Sequence, residues 1–528
     1  MKIILLIKSN LIKQTRSRSF LLILLTSVFL GWLCVPAATD GYEIFYLGGV
    51  RGIYNSAWLG TIAALLSTIL LWLPGFYLLR NQVSEDKRLK IGQILAATPV
   101  TRLQYIAGKV LSNFIVLCLL ELLFLASFLV MQIIRGEALY ISLFDYLQPF
   151  LVVTVPYLLV LAALTVLFDV FPGLMGAFGN VLIFIFWVTM TTLSVAMPEN
   201  PFDLFAIGKI LQAMTKGARS AFPNILAESG SFGFYTHTDP TPTFEWDGVS
   251  WDSSFLLSRL VWIGVSVGIC VLASLVFDRF RKEHSEKNQQ TSDFKQVTSK
   301  RKTLSTKELP TVSRRNTISF ASIIKGEARI LTGGLSKRRF LLLAAALILS
   351  WVTPLTQMRW GSCILLIPIS VWSKEGCDKK QYFTKELLAS CGYQSVKWWA
   401  SWLVGLFIAY ALSAGVIIRY LLAGEVSHAL AWLVGAAFIP TLALALGTLS
   451  ESSRFFEAVY IVWFYMGCIN NMGVLDFLGI AQNNTLIYFI STVVLLVLGR
   501  CAAVWTENAG EKRRIFISAC DKKPGIVK

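Results

Sequence analysis

The chain has 528 residues, 55% hydrophobic and 13% aromatic, with a formal net charge of +17. That apolar excess excludes a string of soluble domains, and a basic excess on such a chain belongs to membrane loops rather than to a nucleic-acid-binding surface. Nine cysteines with no C-x-x-C pair and three scattered histidines give no disulfide framework, no zinc site and no H-E-x-x-H.

In chain order, MKIILLIKSNLIKQTRSRSF patterns as a basic amphipathic helix. Ile3, Leu6, Ile7 and Leu11 recur at helical spacing against Lys2, Lys8 and Lys13, which suits a helix lying along the inner membrane surface. About twenty consecutive apolar residues cross a hydrocarbon core of about 30 Å as a helix. By that measure twelve spans follow, at 20–38, 56–79, 110–133, 148–169, 177–196, 255–277, 339–356, 360–373, 398–420, 427–449, 456–474 and 486–505. The first is read as a retained helix and not a cleaved signal peptide. With both termini in the cytoplasm, 40 of the 48 basic residues fall on the inner side, as the positive-inside rule requires.

Residues 279–317 are polar, basic and poor in aromatics, a cytoplasmic linker unable to bury a core of its own. They separate residues 1–278, six spans with an outer loop at 198–254, from residues 318–528, six spans and a basic cytoplasmic tail. Each block begins with a basic amphipathic segment, and the loop SEDKRLKIGQILAATPVTRLQYIAGKV lies over KEGCDKKQYFTKELLASCGYQSVKWWASW with one residue inserted. The expectation is an all-α polytopic membrane protein built as an internal repeat of two six-helix halves.

The first of those loops carries the main functional signal. Ile91, Ile94 and Leu95 share one helical face, and Ala96 and Ala97 permit close approach. Pro99 denies Thr98 the helical region and ends this stub, while Thr101 can cap the helix that becomes the third span. A cytoplasmic stub of this kind suits docking into a groove of another protein.

The run 94-ILAATPVTR-102 resembles the first inner loop of ABC-2 type transporter permeases, with Leu95, Ala97, Thr98, Pro99, Val100 and Arg102 in register. The segment 50-VRGIYNSAWLG-60 also looks like the start of the second span in double-length members. The second copy, with Leu387, Leu388 and Ser390, lacks the Pro and the Arg. The resemblance implies a multi-pass subunit of the bacterial cytoplasmic membrane, with coupling helices at Ile91–Arg102 and around Leu387–Ser390. It also implies ABC ATPase subunits as partners, two copies or a heterodimer, which bind ATP and Mg. In this chain 106-IAGKV-110 and 206-AIGKI-210 lack the first glycine and the Ser/Thr of a phosphate-binding loop, so no nucleotide cofactor and no enzymatic activity are expected of it.

Glu121 is the only carboxylate read as deep within a span. It is either a substrate or proton contact on the translocation path or a protonated group hydrogen-bonded to a neighbouring helix. In the outer loop, 201-PFDLFAIGKILQAMTKGARSAF-222 is amphipathic. The resemblance makes Phe205, Ile207, Ile210 and Leu211 an outer gate, against a plain interfacial helix. The cargo class is an amphiphile, a lipid or a peptide. Two other functional classes fit the same spans: a gradient-driven secondary transporter using Glu121, and a non-pumping membrane immunity or scaffold protein.

Overall fold

The structure is a computed structural model describing residues 2–37, 41–89, 91, 98–174, 177–200, 202–223, 231–236, 241–277, 320–333, 337–377, 394–469, 473–480 and 483–521. The linker 279–317 lies outside them, as do Ile94, Leu95, Ala97, Leu387, Leu388 and Ser390. The chain divides into two compact units: Met1–Ser17, Leu24–Phe232 and Thr236–Ile318 in the first, Arg18–Ile23, Gly233–Tyr235 and Ser319–Lys528 in the second.

The chain begins with α1 (Lys2–Thr15), in the first unit, and α2 (Arg18–Cys34), which belongs to that unit from Leu24 on; the two axes bend by 69°. Strands β1 (Tyr42–Tyr46) and β2 (Arg51–Gly52) lead to α3 (Ser56–Leu70), where Asn55 accepts from the Trp58 N–H at 2.8 Å as N-cap. The apolar run then breaks into α4 (Trp72–Leu79), bent by 51° from α3. Pro74 explains the break: it has no N–H for the Leu70 carbonyl, and its ring crowds that carbonyl. After α5 (Gln82–Arg88) comes α6 (Arg102–Arg135), the longest uninterrupted apolar helix of this unit. It opens on a capping box, Thr101 Oγ1 accepting from the Gln104 N–H at 3.2 Å and Gln104 accepting from the Thr101 N–H at 3.1 Å, and closes on Gly136 at φ 68°.

Next, α7 (Leu143–Pro149) and α8 (Val155–Val170) join through a π-helical turn at Phe150–Thr154, between Pro149 and Pro156. Then come α9 (Ala177–Ala196), α10 (Ile207–Ala221), β3 (Ser231–Thr236), β4 (Thr243–Phe244) and α11 (Ser253–Val276). β2 and β4 pair in parallel, Arg51 opposite Thr243. The core of this unit is aromatic, with Trp58, Trp72, Phe76, Phe124, Phe128, Tyr157 and Trp187 essentially inaccessible.

The second unit comprises α12 (Phe320–Gly333), α13 (Lys337–Val352), α14 (Gln394–Leu422), α15 (Val426–Ser450), α16 (Ser453–Phe464) and α17 (Thr485–Asp521). α15 packs against both α14 and α17, and the core gathers Trp372, Trp432, Phe438, Phe456, Tyr460 and Phe477.

The protein is therefore a helical membrane protein by composition and helix length. Among the described residues six helices are long and apolar enough to span, rising to eight if each bent pair is one span. That falls short of the twelve expected. The eighth expected span, 360–373, is a chain of short turns: Met358–Gly361, the tighter Ser362–Leu366 and Ile369–Trp372. Pro354 ahead of it and Pro368 within it remove helix donors. The fifth expected span, 177–196, coincides with the 20-residue α9, the seventh is the 16-residue α13, and the eleventh is α16, which runs into a π-helical turn at Tyr465–Ile469.

Candidate functional site

In the 91–102 segment, Ile91 is half-buried, Thr98 is half-buried, and Pro99 and Arg102 are exposed. What supports this segment is a polar lattice that the sequence reading missed. Asp86, near the end of α5, is almost wholly buried; Lys109 Nζ on α6 lies 2.8 Å from its Oδ2, and the Tyr105 hydroxyl donates to the same oxygen at 2.8 Å. From α1, Lys13 Nζ lies 3.2 Å from Glu85 Oε2 and 3.5 Å from Asp86 Oδ1. Lys109 also donates to Asn10 Oδ1 at 3.0 Å.

One turn further along α6, Asn113 accepts from Gln14 of α1 at 3.1 Å and from Gln82 of α5 at 2.8 Å, and donates to Thr165 of α8 at 3.0 Å. Asp169, at the end of α8, accepts from the N–H groups of Asn81 and Gln82 at 2.5 and 2.8 Å, offering negative charge to the start of α5. Four helices are thus cross-linked directly behind the capping box that launches α6. Charge-assisted bonds of this kind are short and directional, so the lattice fixes where residues 98–102 emerge.

Beside Glu121, read as the only carboxylate deep within a span, the structure also buries a cation, Lys109, in the first turns of α6, and a carboxylate, Asp169, at the end of α8. Lys109 was visible as a lysine inside an apolar run. Its partner was not, because Asp86 sits 23 residues away in a charged stretch that reads as solvated.

Glu121 itself is 1% exposed. Ser67 of α3 lies beside it, and Ser67 Oγ donates to the Ala64 carbonyl at 2.7 Å and lies 2.6 Å from the Tyr157 hydroxyl of α8. Glu121 Oε2 has no hydrogen-bond partner among the described residues. Tyr157 in turn packs edge-on against Phe205, with ring centroids 5.8 Å apart, and Trp72 meets Phe205 at 5.1 Å.

The four residues expected to form an outer gate, Phe205, Ile207, Ile210 and Leu211, are all buried. Behind them, Asp203 accepts from the Ser194 hydroxyl at 2.5 Å and from the Phe205 N–H at 3.0 Å, while Arg259 donates to the Asp203 and Leu204 carbonyls. Burial raises the Asp203 carboxyl above its usual range, opposed by the Ser194 hydroxyl, the backbone N–H groups of Phe205 and Ala206, and the Arg259 charge. Ala206 is held at φ 56°, a left-handed conformation unusual for a residue with a side chain.

At the end of the first unit that holds β2, Arg51 makes a two-pronged contact with Glu137, at 2.8 and 2.6 Å. Its Nε lies 2.7 Å from Glu43 Oε1, close enough for ionic attraction though not aligned as a hydrogen bond. Burial works to raise the Glu137 carboxyl. The Arg51 guanidinium and the Tyr54 N–H outweigh it and hold the group below the ordinary carboxylate range.

In the second unit Glu327 of α12, 4% exposed at its side chain, pairs with Lys397 of α14 at 3.3 Å. Glu375 is wholly buried, and Gly405 leaves room for it: a Cβ there would fall 2.1 Å from its Oε1. No three His, Cys, Asp or Glu side chains converge as metal ligands among the described residues. No protein-family model, curated protein or solved structure matches this chain.

Proposed function

We propose that this chain is the transmembrane permease subunit of an ATP-driven exporter of the ABC-2 type, working with separate ATPase subunits that dock on the segment around residues 91–102. The observation that carries the reading is the Asp86–Lys109 lattice. A loop that receives mechanical force needs a stiff footing, and the start of α6 has one, tied to α1, α5 and α8. The ILAATPVTR run supplies the docking surface, and the capping box makes the chain after Pro99 continuous with a 34-residue helix.

A repeat of two halves is part of the same proposal. In each unit an amphipathic helix, α1 or α12, packs along a long apolar helix, α6 or α14; an ion pair, Glu327–Lys397, joins α12 to α14, while in the first unit the buried pair Asp86–Lys109 joins α5 to α6 and Lys13 of α1 reaches Asp86 at 3.5 Å. In this reading, nucleotide-driven closure of the ATPases pushes on residues 91–102, and α6 carries the displacement into the bundle past Glu121. The cargo is an amphiphile, a lipid or a peptide.

The test is co-purification from gentle detergent followed by photo-cross-linking from position 98. An ATP-binding subunit captured at Thr98 supports the proposal, and a surface that captures none overturns it. Replacing Ala97 and Thr98 with bulky charged residues is expected to uncouple transport while leaving membrane insertion intact. A gradient-driven transporter is favoured instead if the purified chain alone moves cargo into liposomes and Glu121→Gln abolishes that movement.

A further inference from the structure

α1 turns two different faces outward and inward. Ile4, Lys8 and Ile12 follow one another at four-residue spacing, Arg16 in the turn just beyond Thr15 continues it, and all four are exposed, as are Leu5 and Ser9 beside them. The opposite side carries Asn10, Lys13 and Gln14, whose side chains enter the lattice. This reverses part of the sequence expectation, in which Ile3, Leu6, Ile7 and Leu11 formed the membrane face: Leu6, Ile7 and Leu11 are half-covered by the protein.

The outward face mixes apolar side chains with two cations that pair with no carboxylate among the described residues. Residues 1–18 contain five basic residues and no acidic one. α1 is bent by 69° from α2, and a helix at that angle to one crossing a bilayer lies close to the bilayer plane. Apolar groups entering the acyl boundary, with lysine and arginine reaching phosphates above it, are the arrangement that binds an anionic leaflet.

We propose that the outward face of α1 binds the anionic headgroups of a bilayer, and that the lattice on its inward face transmits this binding to the segment at 98–104. The second half rests on the coupling role assigned above. Lipid composition then sets how firmly the docking segment is held. Each basic residue close to an anionic surface strengthens binding about fivefold, so losing Lys8 and Arg16 together weakens the contact about thirtyfold.

Hydrogen exchange on the full chain, in nanodiscs of phosphatidylcholine alone or with phosphatidylglycerol added, tests both halves. Anionic lipid is expected to slow exchange in residues 2–15 and again in residues 98–104. Lys8→Gln with Arg16→Gln loses both effects. Asn10→Leu with Gln14→Leu keeps the first and loses the second, while unchanged exchange in α8 shows that this variant is folded. No response in α1, or a response in the Lys8/Arg16 variant equal to the parent's, overturns the lipid assignment. A response in α1 that never reaches 98–104 overturns the transmission. Inorganic phosphate reproducing the effect in neutral discs overturns the bilayer as the source. No ATPase takes part, so failure here leaves the proposed permease function standing, and absence of an ATPase partner leaves this result readable.

Discussion

Lys109 and Glu121 occupy the same helix, about 18 Å apart along its axis, and the chain treats them in opposite ways. Lys109 is surrounded: Asp86 at 2.8 Å, Asn10 at 3.0 Å and the Tyr105 ring within 5.7 Å. Glu121 has Ser67 beside it, and its Oε2 meets no donor among the described residues. Burying an ionised group is expensive unless it is paired and hydrogen-bonded. The contrast therefore separates a charge used as a structural tie from a carboxyl that the fold leaves available. It also locates stiffness at the start of α6 and spare polar capacity in its middle.

The largest expected effect breaks the tie. Lys109→Met keeps most of the aliphatic volume and removes the ammonium, leaving Asp86 buried beside Tyr105 with only the half-exposed Lys13 as a cation. Removing one member of a buried pair costs about 3–5 kcal/mol, read as a loss of stability in detergent unfolding. Adding Asp86→Leu should recover a large part of it, because no orphaned carboxylate remains. Parental stability in the single variant would mean that the lattice carries no load.

A second effect is set by acid, at the other end of α6. Since the folded-state pKa of Glu137 is depressed by Arg51, its contribution is fully present above the unfolded value of about 4.3. It is lost as pH falls through the lower folded value. Melting curves between pH 5 and the acid limit should show this loss in the parent and a flatter response in Glu137→Gln. Equal curves would show that the Arg51 fork adds nothing to stability.

Smaller again is the cap. Thr101→Ala removes the acceptor for the Gln104 N–H and should cost about 1 kcal/mol, with faster amide exchange confined to the first turn of α6. Exchange spreading to Asn113 would show that the cap, more than the lattice, holds the helix start in place.

How far the sequence foretold this contrast depends on the range of the interactions. Local chemistry was legible. Thr101 was readable as a cap because the residues that make the capping box are three apart, and the apolar face of Ile207, Ile210 and Leu211 was readable from its spacing. Pairings across long stretches were not. Nothing in the order of residues says that Asp86 turns inward to Lys109 while neighbouring Lys87 stays exposed. On α1, two apolar stripes flank the polar positions, and periodicity alone cannot say which of them the protein covers. Nor did an apolar count register Pro354 and Pro368, so the run at 360–373 read as a helix although its backbone donors are interrupted.

The smallest expected effect decides the most about Glu121. Glutamine has the same shape, so Glu121→Gln should change stability by less than about 1 kcal/mol if the carboxyl is a neutral group. Leucine in its place should be tolerated as well, since it removes both polar atoms from a site that offers few partners. A loss matching that of Lys109→Met would erase the contrast, because Glu121 would then be a paired charge whose partner the structure does not display. Preserved stability together with altered transport would sharpen it: the middle of α6 would be the place where an otherwise inert carboxyl meets whatever passes through the bundle.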